Sequence, residues 1–417
     1  MRMRHLAAVA LVALGCQPDQ VVVEPGPKKE PKTQQELIVA VSDEIKRFGF
    51  SVDLAKLLME NREPKGMREV ADTYVAITRK ASSHEAIAHL RRALEIPPLT
   101  NGKGLREGIV QMIAQSMLVG FVHDRDIVVF NTATYQPGGP LEHALARALM
   151  FAYIDQKLGG LAASVFDAQS TSDIALVRQC LAEGFATYVA DTIHASKRGK
   201  DTATPTDVAA ALLGTHANVP CAPGTAYVAR VHATGGWQAV VAAFGSAPTS
   251  TEQMLHANKL DKDFPVNVQL PFWPQHAGEA EPIHDDVMGE LAIERILRER
   301  GYDDETAATA AAGWDGDRIG LWRVPSGDGV LVWRSVWDRD EDAEQFAAAI
   351  APFEKNDTHT FRIVRRGRMV DAVSCESEPL AVQWYTTLQD ALDTLAIEPS
   401  DAATTREVEA EAPPRPR

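Results

Sequence analysis

The strongest constraint on this chain is a pair of apolar stretches whose periodicity is helical. In residues 141–156, LEHALARALMFAYIDQ, the positions Leu141, Leu145, Ala148 or Leu149, and Ala152 recur at helical spacing. In residues 181–191, LAEGFATYVAD, the positions Leu181, Phe185, Tyr188 and Val189 do the same. Side chains at that spacing share one helix face, so both stretches predict buried helices that must cover each other or a common core. The simplest outcome is a plain helical core.

A second reading comes from the residues between the apolar positions. Ala152, Asp155 and Gln156 fit the tail of a helix motif HExxH-A-L-x-D-Q, and Leu181, Glu183, Gly184 and Ala186 fit a later motif L-x-E-G-x-A. In this order the two motifs resemble a family of exported zincin-like metallopeptidases. Two further stretches resemble the same family: residues 250–256, STEQMLH, with Ala257 where the family has Pro, and residues 310–318, AAAGWDGDR. The resemblance spans roughly residues 120–373 and implies a zinc-dependent peptidase fold.

The chemistry of that family is missing here. The HExxH pattern places two imidazoles four residues apart on one helix face to hold Zn²⁺, with a Glu to activate its water. Aligned on the motif tail, the histidine positions are held by Arg147 and Phe151 and the glutamate position by Ala148. A guanidinium only donates, a phenyl ring has no lone pair, and a methyl accepts no proton. Glu183 alone survives from the ligand set, as a vestigial ligand position. Its own helix face, with Cys180, Ala186, Thr187 and Ala190, is small and mostly apolar, which predicts a buried carboxylate. Arg147 is expected to meet it in a bidentate ion pair where kin would hold the metal.

The expected function is therefore a catalytically inactive, zincin-like lipoprotein with no cofactor, which binds or scaffolds a peptide or protein partner. The alternative is an active zinc peptidase with a site rebuilt from His143, His194 or His256. A structural envelope protein with a filled cleft is the third reading. His123 reads as a turn residue, and His232 as no more than a candidate ligand. His84 and His89 lie five residues apart, about 140° around a helix; they cannot share a metal from one regular helix and read as a solvated face. Asp315 and Asp317 predict caps or turns rather than Ca²⁺ ligands. No G-x-S-x-G elbow and no phosphate-binding Gly loop is present.

The ends of the chain predict its address. Arg2 and Arg4 precede an apolar run, residues 6–14, which is followed by Gly15 and Cys16. This layout is that of a secretory signal too short to span a bilayer. The ending Ala13-Leu14-Gly15-Cys16 resembles a bacterial lipobox, which makes residues 1–15 the signal peptide and Cys16 the lipidated residue. Gln17 after it favours, by resemblance to known sorting, the periplasmic side of the outer membrane. Residues 16–34, with four prolines and three lysines, read as a disordered tether, and residues 397–417 as a disordered tail. A formal net charge of −15 argues against nucleic acid or an anionic membrane surface as partner. Cys180, Cys221 and Cys375 remain, and a Cys180–Cys221 disulfide is one option that sequence does not decide.

The expected fold class is α+β. A mainly helical, zincin-like domain with a short β-hairpin occupies residues 35–275, and a smaller C-terminal α+β domain with an antiparallel sheet occupies residues 285–396. The hairpin is expected where Phe121-Val122 and residues 127–130 flank a polar turn. Helices are expected through residues 35–94 and 105–119. Strands are expected at 318–324, 329–337 and 360–373, the last broken by Arg366-Gly367-Arg368, with Trp314, Trp322, Trp333 and Trp337 in the core or at the domain contact.

Overall fold

A computed structural model describes residues 33–78, 81–96, 104–123, 125–134, 139–159, 170–198, 221–270, 280–355 and 359–394. The signal stretch, Cys16, most of the tether and the C-terminal tail lie outside these residues. The protein is α+β, with a helical part around a three-stranded sheet and a second part around a five-stranded antiparallel sheet. No helix among the described residues is long and apolar enough to cross a membrane.

The first helix, α1 (Gln34–Arg47), begins inside the expected tether. Thr33 and Glu36 form a reciprocal capping box there, and Leu37, Ile38, Val41 and Ile45 give it a buried face. Next come β1 (Leu58–Arg62), α2 (Pro64–Thr78), α3 (Ala81–Ala93) and α4 (Leu105–Ser116). The hairpin forms as β2 (Val119–Val122) against β3 (Ile127–Asn131), but β3 is the central strand, with β1 parallel on its other side. Residues 58–62 were expected to be helical along with their neighbours; LMENR has no clean alternation because an edge strand leaves half its residues to solvent.

Behind this sheet lie α5 (Gly139–Lys157) and α6 (Ser172–Arg198), the two stretches that periodicity singled out, followed by α7 (Ala222–Ala242) and the short α8 (Thr251–Leu255). Gly236, at φ +65°, kinks α7. The α6/α7 crossing is unusually close. A Cβ on Gly184 would stand 2.2 Å from the Gly224 carbonyl carbon, and one on Gly224 would stand 1.9 Å from the Cys180 carbonyl oxygen. A Cys180–Cys221 disulfide ties the same crossing. The pairing that sequence left open is thus made, and Cys375 is a free buried thiol.

The second part holds β4 (Glu281–Asp286), α9 (Glu290–Arg300), α10 (Asp304–Ala311), β5 (Trp314–Arg323), β6 (Gly329–Trp337), α11 (Asp340–Ile350), β7 (Thr360–Arg366), β8 (Met369–Cys375) and α12 (Glu378–Thr394). Strand order is β4-β5-β6-β8-β7. Trp314, Trp322, Trp333 and Trp337 are all buried. Strand β4 runs to Asp286 and α9 starts at Glu290. Gly289 at φ +81° and the Asp286 side chain, which accepts from the Val287 and Ser172 amides, hold an extended turn between them. Helix α3 packs Ala86, Leu90 and Ala93 into the same core as Trp314, Trp333 and Phe361. His84 and His89 are accordingly buried, not on the solvated face that was expected.

A Gly224→Ala substitution has no room at the crossing, because the clash is with helix backbone rather than a flexible side chain. It is expected to lower unfolding free energy by about 3 kcal/mol or more. Gly245→Ala, whose Cβ would meet nothing nearer than 3.5 Å, is expected to change it little. Chemical denaturation of both variants checks this.

Candidate functional site

On α5 the residues His143, Arg147 and Phe151 follow one another at four-residue steps, and on α6 Glu183, Thr187 and Asp191 do the same. The helices pack against each other with these stripes running in opposite directions. At one end His143 Nε2 hydrogen-bonds Asp191 Oδ1 at 2.7 Å, with the His194 ring 6.4 Å from the His143 ring. At the other end lie Phe151 and Glu183. Between them, Arg147 Nε and Thr187 Oγ1 are buried with no hydrogen-bond partner among the described residues.

Glu183 accepts three hydrogen bonds. Its Oε1 accepts hydrogen bonds from Tyr74 Oη on α2 and from Gln179 Nε2 at 2.9 Å. Its Oε2 accepts from the backbone N–H of Cys221 at 3.0 Å. Cys221 is the N-cap residue of α7 and has no side-chain cap of its own, so Glu183 places a carboxylate at that helix's positive end. Burial pushes the Glu183 carboxyl up to about 7, opposed by the Cys221 amide and by the charge of Arg295.

The expected Arg147–Glu183 ion pair is not among the described contacts. Burial lowers the Arg147 guanidinium to about 10, and the charge that offsets this is Asp191. Asp191 is eight residues from Glu183, about 12 Å along a helix. A guanidinium drawn to one end of the stripe does not reach the other. The correction has a simple cause: Glu183 is already satisfied by neutral donors.

Aromatic rings fill the space beside Glu183. Phe151 packs edge-on to His123 with centroids 5.6 Å apart, and His123 lies 6.2 Å from Tyr74, whose hydroxyl ends on Glu183. His123 belongs to the hairpin turn, as expected, but its side chain is buried and its Nδ1 lies 3.0 Å from Asp155 Oδ2. Gln156 accepts from the Asp53 amide at 2.9 Å. Both residues of the Asp-Gln motif tail therefore fasten neighbouring chain segments. A zinc ion does not fit this donor set: Arg147, Ala148 and Phe151 offer no lone pair, and the one carboxylate is engaged at both oxygens.

The other candidate histidines are dispersed. His256 Nε2 lies 2.8 Å from Glu290 Oε1, a hydrogen bond that raises the imidazole's pKa. His232 stacks on Trp237 at 4.0 Å and meets the Tyr188 hydroxyl at 3.2 Å. Of the proposed rebuilt ligands, only His143 and His194 come together.

The remaining motifs build the joint between the two parts. Ser250 caps α8 by accepting from the Gln253 amide at 3.1 Å. Thr251 Oγ1 donates to Asp173 at 2.6 Å and accepts from the Leu291 amide at 3.1 Å. Asp317 accepts from the indoles of Trp314 and Trp333 and from the Met288 and Gly289 amides. Burial raises Asp173 to about 8 and Asp317 to about 6. Asp315 and Asp317 were expected as caps or turns; both lie instead in strand β5, from which Asp317 holds the turn that precedes α9. Lys259 Nζ bonds Glu252 at 2.6 Å, Asp263 at 3.1 Å and Asp338, so this acidic group carries its own cation.

Sequence reading missed Tyr74, Gln179, Asp173 and Asp191. Gln179 and Asp191 stand four and eight residues from Glu183, so helical spacing carried a signal for both. Tyr74 and Asp173 are brought in only by tertiary packing.

The raised pKa of Glu183 sets a pH dependence. A carboxyl ordinarily near 4.5 that is shifted to about 7 in the folded state binds its proton more tightly there, so stability falls as pH rises between these values. Above about 7 the loss is complete, on the order of 3 kcal/mol. Glu183→Gln is expected to flatten this part of the profile, which denaturation at pH 5 and pH 8 would reveal; an unchanged slope contradicts the assignment.

Residues 279–387 match the model of a domain of unknown function, DUF8575. The match covers β4 through β8 and leaves the α5/α6 seam outside it. No curated protein and no solved structure matches the chain.

Proposed function

We propose that this protein is a catalytically inactive, zincin-like lipoprotein that binds or scaffolds an extended peptide or protein partner at the periplasmic face of the outer membrane. The observation that carries the reading is the engagement of Glu183. Where a peptidase of this kind needs a free carboxylate, this chain uses it to cap α7 and to hold Tyr74. With no base beside it, the seam also lacks the proton acceptor that contributes about 10²- to 10⁴-fold in such catalysis.

Three further features support the reading. The Cys180–Cys221 disulfide suits an oxidising compartment outside the cytoplasm. The sequence layout at Cys16 suits a lipid anchor. Strand β1 is an edge of its sheet, with Leu58 60% exposed, and an extended peptide can extend such an edge by backbone hydrogen bonds.

Two measurements test this. The purified full chain, supplied with zinc, is expected to cleave no member of a mixed peptide library while retaining some by binding. Zinc-dependent cleavage that disappears in Glu183→Gln would overturn the proposal. In cells, Cys16→Ala is expected to move the protein from the membrane fraction to the soluble periplasmic fraction; an unchanged distribution contradicts the lipid anchor.

A further inference from the structure

Helix α3 brings a histidine to the C-terminal sheet at a place where a second histidine and a glutamate already stand. His359 precedes β7 and Glu376 follows β8, and these antiparallel strands place their ends side by side, with Thr360 opposite Cys375. His359 Nε2 lies 3.2 Å from Glu376 Oε1, and His89 Nδ1 lies 3.7 Å from the same oxygen. The two imidazoles meet edge to face at 5.3 Å. One donor atom from each of the three residues lies within 4.8 Å of the other two.

We propose that His89, His359 and Glu376 form a binding site for a divalent transition cation of the Zn²⁺ class, clipping α3 to the end of the C-terminal sheet. Two imidazoles and one carboxylate are a borderline-soft donor set of the kind that selects zinc over calcium or magnesium. Ligands about 2.0 to 2.1 Å from a tetrahedral ion stand about 3.3 Å from one another. The 3.2 and 3.7 Å separations bracket that value, so little movement is needed to receive the ion.

The surroundings are built for close approach. Both histidines are buried. Gly329 donates its N–H to Glu376 Oε2 at 3.2 Å, and a Cβ at that position would stand 2.9 Å from His89 Nδ1. Glycine there lets strand β6 pass directly beside the imidazole. Glu376 is partly exposed, which leaves an entry path and a fourth position for water. Arg92 Nη2, 3.5 Å from Glu376 Oε1 and itself about half exposed, is the competing cation. In the carboxylate cluster of Glu252, Asp263 and Asp338, by contrast, Lys259 is lodged within 3.1 Å of an oxygen of each.

The site is independent of the α5/α6 seam, and the two are separated by variants. The full chain, stripped with chelator and reloaded with Zn²⁺, is expected to retain about one equivalent and to gain thermal stability. Glu376→Gln, chosen because Glu376 is the least buried ligand, should stay folded by circular dichroism. It should lose at least the roughly tenfold in affinity that even an outer-shell change causes. His359→Gln should abolish retention, and Glu183→Gln should leave it unchanged. Cobalt(II) loading should give visible ligand-field bands in the parent and not in His359→Gln. Failure of the folded parent to retain zinc, or retention that is indifferent to both Glu376→Gln and His359→Gln, overturns the proposal.

Discussion

The close crossing of α6 and α7 fixes most of what surrounds it. Two glycines, Gly184 and Gly224, remove the side chains that would hold the helices apart, and the Cys180–Cys221 disulfide ties the same turn. With the helices that near, Glu183 reaches the first amide of α7 and turns a buried charge into a helix cap. A carboxylate in an apolar seam is costly unless its lone pairs are used. Tyr74 and Gln179 use the others, and Tyr74 fastens α2 to the seam.

In this arrangement the space beside Glu183 is filled by protein groups. A metal ion organises its ligands by charge; here three neutral hydrogen-bond donors and a run of aromatic contacts from Tyr74 through His123 to Phe151 occupy the same region. The joint to the C-terminal part follows the same logic. Asp173, Asp286 and Asp317 are all buried, and each accepts from backbone amides at the start of α6, α8 or α9 or in the turn that precedes α9. Carboxylates held by backbone donors fix loop shape with little dependence on side-chain rotamers.

Much of this was legible in the sequence. Helices α5 and α6 and the β2/β3 hairpin follow from periodicity, and the buried, mostly small face around Glu183 was read correctly from spacing on one helix. The Arg147 assignment failed because a motif alignment gives the position of a residue and not the direction its side chain is drawn; Asp191, about two turns beyond Glu183 on the same helix, was not weighed. Strand β1 was hidden because its partner, β3, lies some 65 residues on and the pairing leaves half the strand in solvent. The His84 and His89 face of α3 was read as solvated because the two histidines cannot share a metal from one helix; tertiary packing of Ala86, Leu90 and Ala93 against a sheet rich in tryptophan buries them instead. The cluster of His89, His359 and Glu376 had no sequence signature, since only the topology of α3, β7 and β8 brings it together.

The central claim is that the Glu183 carboxylate is bound by protein donors and is not a metal ligand. Crystals grown with excess zinc and measured at its absorption edge test this most directly. The account predicts no anomalous peak within bonding distance of Glu183, with the Tyr74 hydroxyl on one carboxylate oxygen and the Cys221 amide on the other. A peak joining Glu183 to any residue of α5, with Tyr74 displaced, would contradict it.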